Sequence, residues 1–172
     1  MEDKVKALLN DFGRFAEIAS KVKPNKIKYN INELSGKYSR LMLIDIERNG
    51  NETVEECFAA AFIISLFIYE EWESNMFETD GISESEWKGY LEKVWLPQYF
   101  NGNKVQLYET EKMIDIIKND IITFGVSKEQ LNEMIKDYNT LISVLIEGNY
   151  GDLTFFCMNE NRIVYYDYIV CD

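Results

Sequence analysis

The distribution of apolar residues is dominated by one stretch, Cys57–Tyr69, which carries no charge and a single hydroxyl, Ser65. As a helix it would be about 20 Å long at ~1.5 Å per residue, too short for the roughly 20 apolar residues that a membrane span needs. Because its apolar side chains fall all round the helix axis, most of its surface must be covered. We predict a central core helix over about residues 53–76, opened by a capping box at Thr53 and Glu56.

Apolar residues also recur at intervals of three and four elsewhere, which is the spacing of one buried helical face. This pattern predicts helices over residues 2–22, 83–96, 109–124 and 127–148. Residues 32–48 fit either a helix or a strand, and we favour a helix. Five to six helices packed around the core helix are therefore expected.

A period of two, typical of strands, occurs in two places. Residues 26–31 alternate apolar and polar side chains, and residues 153–170 contain two β-branched and aromatic runs around Asn159–Asn161. The second pattern predicts a C-terminal β-hairpin, which the short strand could join. The expected fold is mainly α with a small β-hairpin, in a single domain over residues 1–172.

The charge is strongly acidic and unevenly distributed. Eighteen Lys and Arg against thirty Asp and Glu give a net charge of -12, which disfavours direct binding to nucleic acid. Residues 1–40 carry nine basic and five acidic residues, net +4, so the remaining 132 carry nine against twenty-five, net -16. The basic and acidic parts of the chain are therefore separate in sequence.

The chain contains no histidine, which excludes histidine-dependent triads, general bases and zinc ligands within it. It also lacks the glycine-rich loops that bind nucleotide phosphates, so we predict no cofactor. Its three cysteines, Cys57, Cys157 and Cys171, have no metal-ligand spacing, and the odd number suits a reducing compartment. The N-terminus does not have the pattern of a signal peptide, and we expect a cytoplasmic protein without membrane contact.

Carboxylates are the remaining candidates for chemistry. Asp45 and Glu47 follow an apolar run, as the acidic pair of Mg²⁺-dependent nucleases does, but the expected lysine is missing. Glu70 with Glu73, and Glu52 with Glu55, place two acids on one helix face, yet di-iron bundles pair such glutamates with a histidine. A carboxylate-dependent enzyme therefore remains only an alternative, and we predict neither catalytic residues nor a metal site.

One acidic segment, residues 70–86, is the candidate binding surface. It carries seven carboxylates and no Lys or Arg, with aromatic residues interleaved. Like charges at this density repel one another, so the segment is either solvated surface or a surface whose repulsion a cationic partner offsets. The predicted partner-binding residues are Glu70, Glu71, Glu73, Phe77, Glu78, Asp80, Glu84 and Glu86.

Small acidic chains without catalytic motifs are typical of toxin-immunity and phage counter-defence proteins. We therefore hypothesise that a basic protein, such as a nuclease toxin or a defence effector, binds the acidic segment and is neutralised by occlusion. A monomer or weak dimer is expected. The alternative is a structural or regulatory subunit that self-associates through aromatic residues around Trp87 and Trp95, or through the free edge of the hairpin.

Overall fold

The computed structural model describes residues 1–23, 26–48, 50–73, 104–147 and 153–170. Six strands form one sheet: β1 (Tyr29–Ser35), β2 (Ser39–Glu47), β3 (Lys104–Tyr108), β4 (Ile142–Glu147), β5 (Leu153–Met158) and β6 (Arg162–Val170). Their spatial order is β1-β2-β6-β5-β4-β3, and every neighbouring pair is antiparallel.

Five α-helices lie in the same described ranges: α1 (Glu2–Leu9), α2 (Phe12–Ala19), α3 (Val54–Glu73), α4 (Thr110–Thr123) and α5 (Lys128–Met134). A short 3-10 helix (Tyr138–Thr140) follows α5. The prediction of a mainly α fold with a small hairpin is therefore wrong, because a six-stranded sheet makes this an α/β fold.

Helices cover both faces of the sheet, and we call the two sides the first face and the second face. The first face packs against α1, α2 and α3, and its core includes Val5, Phe15, Ile44, Phe58 and Phe156. The second face packs against α4, α5 and the 3-10 helix, and its core includes Leu43, Ile117, Leu131, Tyr138 and Tyr166. The architecture is a three-layer α/β/α sandwich with an antiparallel sheet.

The apolar stretch forms α3, as its composition predicts, and the capping box at its start is present. The backbone N–H of Thr53 donates to Glu56 Oε2 at 2.8 Å, and the backbone N–H of Glu56 donates to Thr53 Oγ1 at 3.2 Å. However, α3 lies on one face of the sheet and contacts α1, α2, β2 and β6. The prediction that it is the centre of a helical bundle is therefore wrong: the sheet itself supplies the surface that buries it.

The predicted N-terminal helix is two helices, because the chain turns at Asn10 and Asp11. Asp11 caps α2 by accepting a hydrogen bond from the backbone N–H of Arg14 at 3.0 Å. Val5 and Phe15, on the two sides of the turn, are both fully buried. The spacing of apolar residues thus identified the buried residues correctly, but it did not indicate the turn between α1 and α2.

Two segments predicted to be helical are strands in the sheet interior. Residues 39–47 form β2, where the helical interpretation of 32–48 is wrong, and residues 142–147 form β4 instead of the end of a helix over 127–148. Leu41–Ile44 in β2 and Val144–Ile146 in β4 are buried on both faces of the sheet, so these runs are apolar without alternation. Asp137, with φ of 62°, ends the helical pattern just before the 3-10 helix.

The C-terminal hairpin is present as β5 and β6, but it is central to the sheet. β6 pairs with both β2 and β5, and β5 pairs with both β6 and β4. Because each strand has a neighbour on both sides, the hairpin offers no free edge for self-association, and that part of the alternative hypothesis is wrong. The outermost strands of the described sheet are β1 and β3.

Candidate functional site

The acidic segment begins on α3. Glu70, Glu71 and Glu73 lie in the last turn of that helix, while Phe77, Glu78, Asp80, Glu84 and Glu86 lie outside the described residues. Trp87 and Trp95, of the alternative hypothesis, lie outside them as well. The predicted surface therefore starts at the end of a helix whose earlier turns are buried against the sheet.

The position of these acids is unfavourable for folding. A helix carries partial negative charge at its C-terminal end, where acidic side chains are destabilising. α3 has the favourable arrangement at its start, with Glu55 and Glu56 in the first turn, but it has no basic residue in its last turn. Glu70, Glu71 and Glu73 therefore oppose the helix dipole.

The opposite end of α3 borders a cavity of about 540 Å³ on the first face of the sheet. It lies between the C-terminal end of α2, the start of α3 and strands β2 and β6. Its apolar lining consists of Ile18, Val22, Ile27, Ile46, Ala60 and Ile163. Its cationic lining consists of Lys21, Lys23, Lys26, Lys28 and Arg48.

Arg48 is fixed in the wall of the cavity by backbone carbonyls. Its guanidinium donates through Nη2 to the Glu52 carbonyl at 2.9 Å and through Nη1 to the Asn159 carbonyl. Its Nε is buried without a hydrogen-bond partner. Arg48 therefore places a positive charge at a defined position between β2, the start of α3 and the β5–β6 turn.

The Cys57 thiol also lines the cavity, but it is not a nucleophile at neutral pH. The side chain is 1% exposed, and burial raises the pKa of the thiol to about 11, although nearby Arg48 lowers it. Because the thiolate is the reactive form, this cysteine contributes an inert, weakly polar wall.

The carboxylates at the cavity are held by local contacts. Glu47 forms an ion pair with Lys28 at 3.6 Å, and Glu56 accepts hydrogen bonds from Thr53. Lys26 forms no ion pair with any residue in the described ranges. With five cationic and three anionic side chains, the cavity has an excess of positive charge in a protein of net charge -12.

Sequence reasoning did not identify this cavity. The available signal was the run at residues 21–28, which contains four lysines and no acid. A lysine-rich run by itself indicates only a basic surface. The apolar wall comes from β2, α3 and β6, which are distant in sequence, so only the folded chain brings the two parts together.

Asp45, the first residue of the acidic pair considered for magnesium chemistry, has a structural role. Arg162 donates to Asp45 through Nε, at 2.8 Å to each carboxylate oxygen, and through Nη2. Arg162 also donates to the Lys136 carbonyl at 2.6 Å, and its guanidinium lies 5.1 Å from the centre of the Tyr138 ring. Asp45 therefore fixes Arg162 within the sheet, and Arg162 joins the sheet to the segment after α5.

A second polar contact joins α4 to the sheet. The fully buried Tyr166 of β6 donates its hydroxyl hydrogen to Asp120 Oδ2 on α4. Burial raises the pKa of Asp120, and the hydrogen bond from Tyr166 partly offsets that effect. Burial and the neighbouring carboxylate together raise the pKa of Tyr166, so the phenol stays protonated.

The fold and these contacts define the protein as a three-layer α/β/α protein with a basic cavity on the first face. No family model matches the chain, and no curated protein or solved structure is detectably similar to it. Within the described ranges, no group of three acids or cysteines is placed to hold a metal ion. None of the helices there is long and apolar enough to cross a membrane.

Proposed function

We propose that this protein is a cytoplasmic binding protein that engages a basic partner protein through residues 70–86 and neutralises it by occlusion. The partner class that fits is a nuclease toxin or a defence effector, whose phosphate-binding cleft is cationic. Carboxylates in that cleft would occupy the positions of phosphate groups. Apolar contacts from Phe77 would slow dissociation.

The observation that carries the proposal is the location of Glu70, Glu71 and Glu73 at the C-terminal end of α3. Acidic residues are unfavourable at this end of a helix, and residues 70–86 contain no Lys or Arg to offset them. Glu73 lies roughly 24 Å along the helix axis from Cys57, at ~1.5 Å per residue, so the lysines around the cavity are too distant to neutralise it. A surface that costs stability is expected to serve binding.

Two buried cysteines support the cytoplasmic assignment. Cys57 and Cys157 are both free, and they belong to the cores on opposite faces of the sheet. The sheet separates them, so they cannot form a disulfide with each other. Buried thiols of this kind persist most readily in a reducing compartment.

The test uses the full chain with Glu70, Glu73, Glu78 and Glu84 changed to Lys. A matched control carries the same charge change at Glu33, Asp115, Glu133 and Glu160, which are exposed and lie outside the first turn of every described helix. Both proteins are immobilised with the wild type and exposed to an extract of the native host at low salt. Each retained basic protein is then purified, and its association rate is measured with all three proteins.

We expect the control to associate almost as fast as the wild type and the 70–84 variant to associate at least about tenfold more slowly, with a weaker dependence on salt. Folding is checked by urea unfolding. The reversal should leave the free energy of unfolding unchanged or slightly higher, because it places cations at the C-terminal end of α3. If the purified partner binds the 70–84 variant and the wild type at the same rate, the acidic segment is not the interface.

A further inference from the structure

We infer that the cavity on the first face is a binding site for a small aliphatic anion, namely an alkyl chain with a carboxylate or phosphate head group. The site is independent of the acidic segment proposed above to bind a basic protein. Its volume of about 540 Å³ lies within the range of roughly 300–1,000 Å³ that is usual for small-molecule sites.

The walls select for an alkyl body. The apolar lining is aliphatic, with Ile18, Val22 and Ile27 on one side and Ile46, Ala60 and Ile163 on the other, and no aromatic side chain of the described residues lines it. A base or an aromatic ring is usually held by ring stacking, which these walls do not provide. An alkyl chain needs only apolar contact area, which they do provide.

The charges select for an anionic head group. One short segment at the rim of the cavity supplies four lysines, Lys21, Lys23, Lys26 and Lys28. Arg48 lies in the cavity wall, where two backbone carbonyls hold its guanidinium. Lysine stems can cover an apolar ligand while their ammonium groups remain in water near its head. A cation would be repelled by the same groups.

Carboxylates offset part of the charge around the cavity: Lys21 pairs with Glu17 at 3.3 Å, and Lys23 and the lining residue Glu52 also have interaction partners. The Glu47 carboxylate already pairs with Lys28, and the Glu56 carboxylate is held by the backbone and hydroxyl of Thr53 at the start of α3. The Lys26 ammonium makes no ion pair with a described residue and is free to meet a ligand. The positive charge available to a ligand is therefore that of Lys26 and of Arg48, whose guanidinium donates to two backbone carbonyls.

The binding test is a calorimetric titration of the full chain with four ten-carbon probes below their micelle concentrations: decanoate, decyl phosphate, decanol and decyltrimethylammonium. We expect saturable one-to-one binding of decanoate or decyl phosphate, weaker binding of decanol and none of the cation. The comparison of decanoate with decyl phosphate distinguishes the two head groups. Failure of both anions to bind, or equal binding of decanol, would overturn the inference.

Two variants locate the site. Ala60→Phe fills the cavity from α3 and should weaken anion binding by more than about tenfold, since the ligand volume is lost. The double variant Lys23→Gln/Lys26→Gln removes two exposed rim charges, together with the contact that Lys23 makes, and should weaken anion binding by about fivefold, with a reduced salt dependence.

Lys6→Gln, on the exposed surface of α1 outside the cavity, is the matched control and should bind like the wild type. Folding of each variant is checked by circular dichroism. If Ala60→Phe does not fold, the rim variant decides, because its substitutions are exposed. Undiminished anion binding by a folded Ala60→Phe, or by the rim variant at low salt, would show that the anion binds elsewhere.

Discussion

The interior of the first face around Phe58 is packed with aromatic and aliphatic side chains, and the guanidinium of Arg48 lies at the edge of that face. The interior of the second face also contains a guanidinium, carboxylates and phenols that pair with one another. On the first face, the Phe58 ring lies 5.2 Å from Phe156 and 5.9 Å from Phe15, centre to centre, in edge-to-face contacts. On the second face, Arg162 pairs with Asp45, and Tyr166 donates to Asp120. The first face thus depends on volume and the second on partners.

The cavity lies at the edge of the first face, away from the ring cluster around Phe58. A polar contact fixes the distance between a helix and the sheet, as Tyr166 does for α4. The polar contact at this edge is that of Arg48, which donates to the Glu52 carbonyl at the start of α3 and to the Asn159 carbonyl, and the cavity lies beside it between α2, α3 and β2. The cavity is lined by aliphatic side chains, and the lysines at its rim are solvated.

The largest expected effect is the loss of an aromatic ring from the first face. Phe58→Ala should lower the free energy of unfolding by about 3–5 kcal/mol, because Phe58 is fully buried and three other rings surround it. Urea unfolding measures the change. Tyr38→Ala, at a side chain that is 58% exposed, is the control and should change stability by less than about 0.5 kcal/mol. Equal effects of the two substitutions would contradict the volume-dependent description of this face.

The next largest effect is expected at the ion pair on the second face. Arg162→Leu removes the partner of Asp45, the contact with the Lys136 carbonyl and the cation over Tyr138, and leaves a partly buried carboxylate unpaired. We expect a loss of about 2–3 kcal/mol, less than for a fully buried pair because Arg162 and Asp45 are 23% and 27% exposed.

The matched control for that change is Lys112→Gln, which removes an exposed ion pair with Glu109 at 2.8 Å. Exposed pairs contribute little, so we expect a change below about 0.5 kcal/mol. A double-mutant cycle with Asp45→Asn isolates the coupling. If Arg162→Leu costs no more than Lys112→Gln, then matched polar partners do not hold the second face.

The sequence predicted the helices with clear boundaries better than it predicted the sheet. α4 was expected over 109–124 and is found at Thr110–Thr123, with Gly125, at φ of 73°, just after its end. The capping box of Ser127 and Gln130 is also present. These features depend on residues within one or two turns of each other, so local sequence is sufficient to specify them.

Two interior strands, β2 and β4, were not recognised from local pattern, whereas the interior strands β5 and β6 were predicted from their β-branched and aromatic runs around Asn159–Asn161. β2 and β4 are covered by helices on both faces, so both sets of alternating side chains are apolar, and the period of two disappears. The run Leu41–Ile44 then fits a helix as well as a strand. The edge strand β1 is mostly exposed, and apolar and polar residues alternate at its start. A strand was predicted there over residues 26–31, and it is found at Tyr29–Ser35.

The candidate sites were predictable to different degrees. The acidic segment is continuous in sequence and needed only a count of charges. The cavity combines residues 21–28 with Arg48, Ala60 and Ile163, and its apolar wall depends on the pairing of β2 with β6. A contact between residues more than a hundred positions apart is a property of the sheet order, which the local pattern does not contain.

The smallest expected effect is a dependence of stability on pH that originates from Asp120. Burial raises the pKa of Asp120 in the folded protein above the ordinary value of 3.8. At a pH between the unfolded-state pKa and the folded-state pKa, the folded protein therefore binds more protons than the unfolded protein. The contribution of Asp120 to stability is therefore greatest at low pH and declines as the pH rises through the folded-state pKa. Asp120→Asn removes this titration and keeps an acceptor for the Tyr166 hydroxyl.

We therefore expect the wild type to lose stability relative to Asp120→Asn as the pH rises from about 4 towards neutral, by less than about 1 kcal/mol because Asp120 is only half-buried. The difference is measured by urea unfolding across this range. Asp115→Asn, at an exposed position on the same helix, should run parallel to the wild type. A difference of the opposite sign would mean that the hydrogen bond from Tyr166 outweighs burial, and that the second face stabilises a charged carboxylate more strongly than water does.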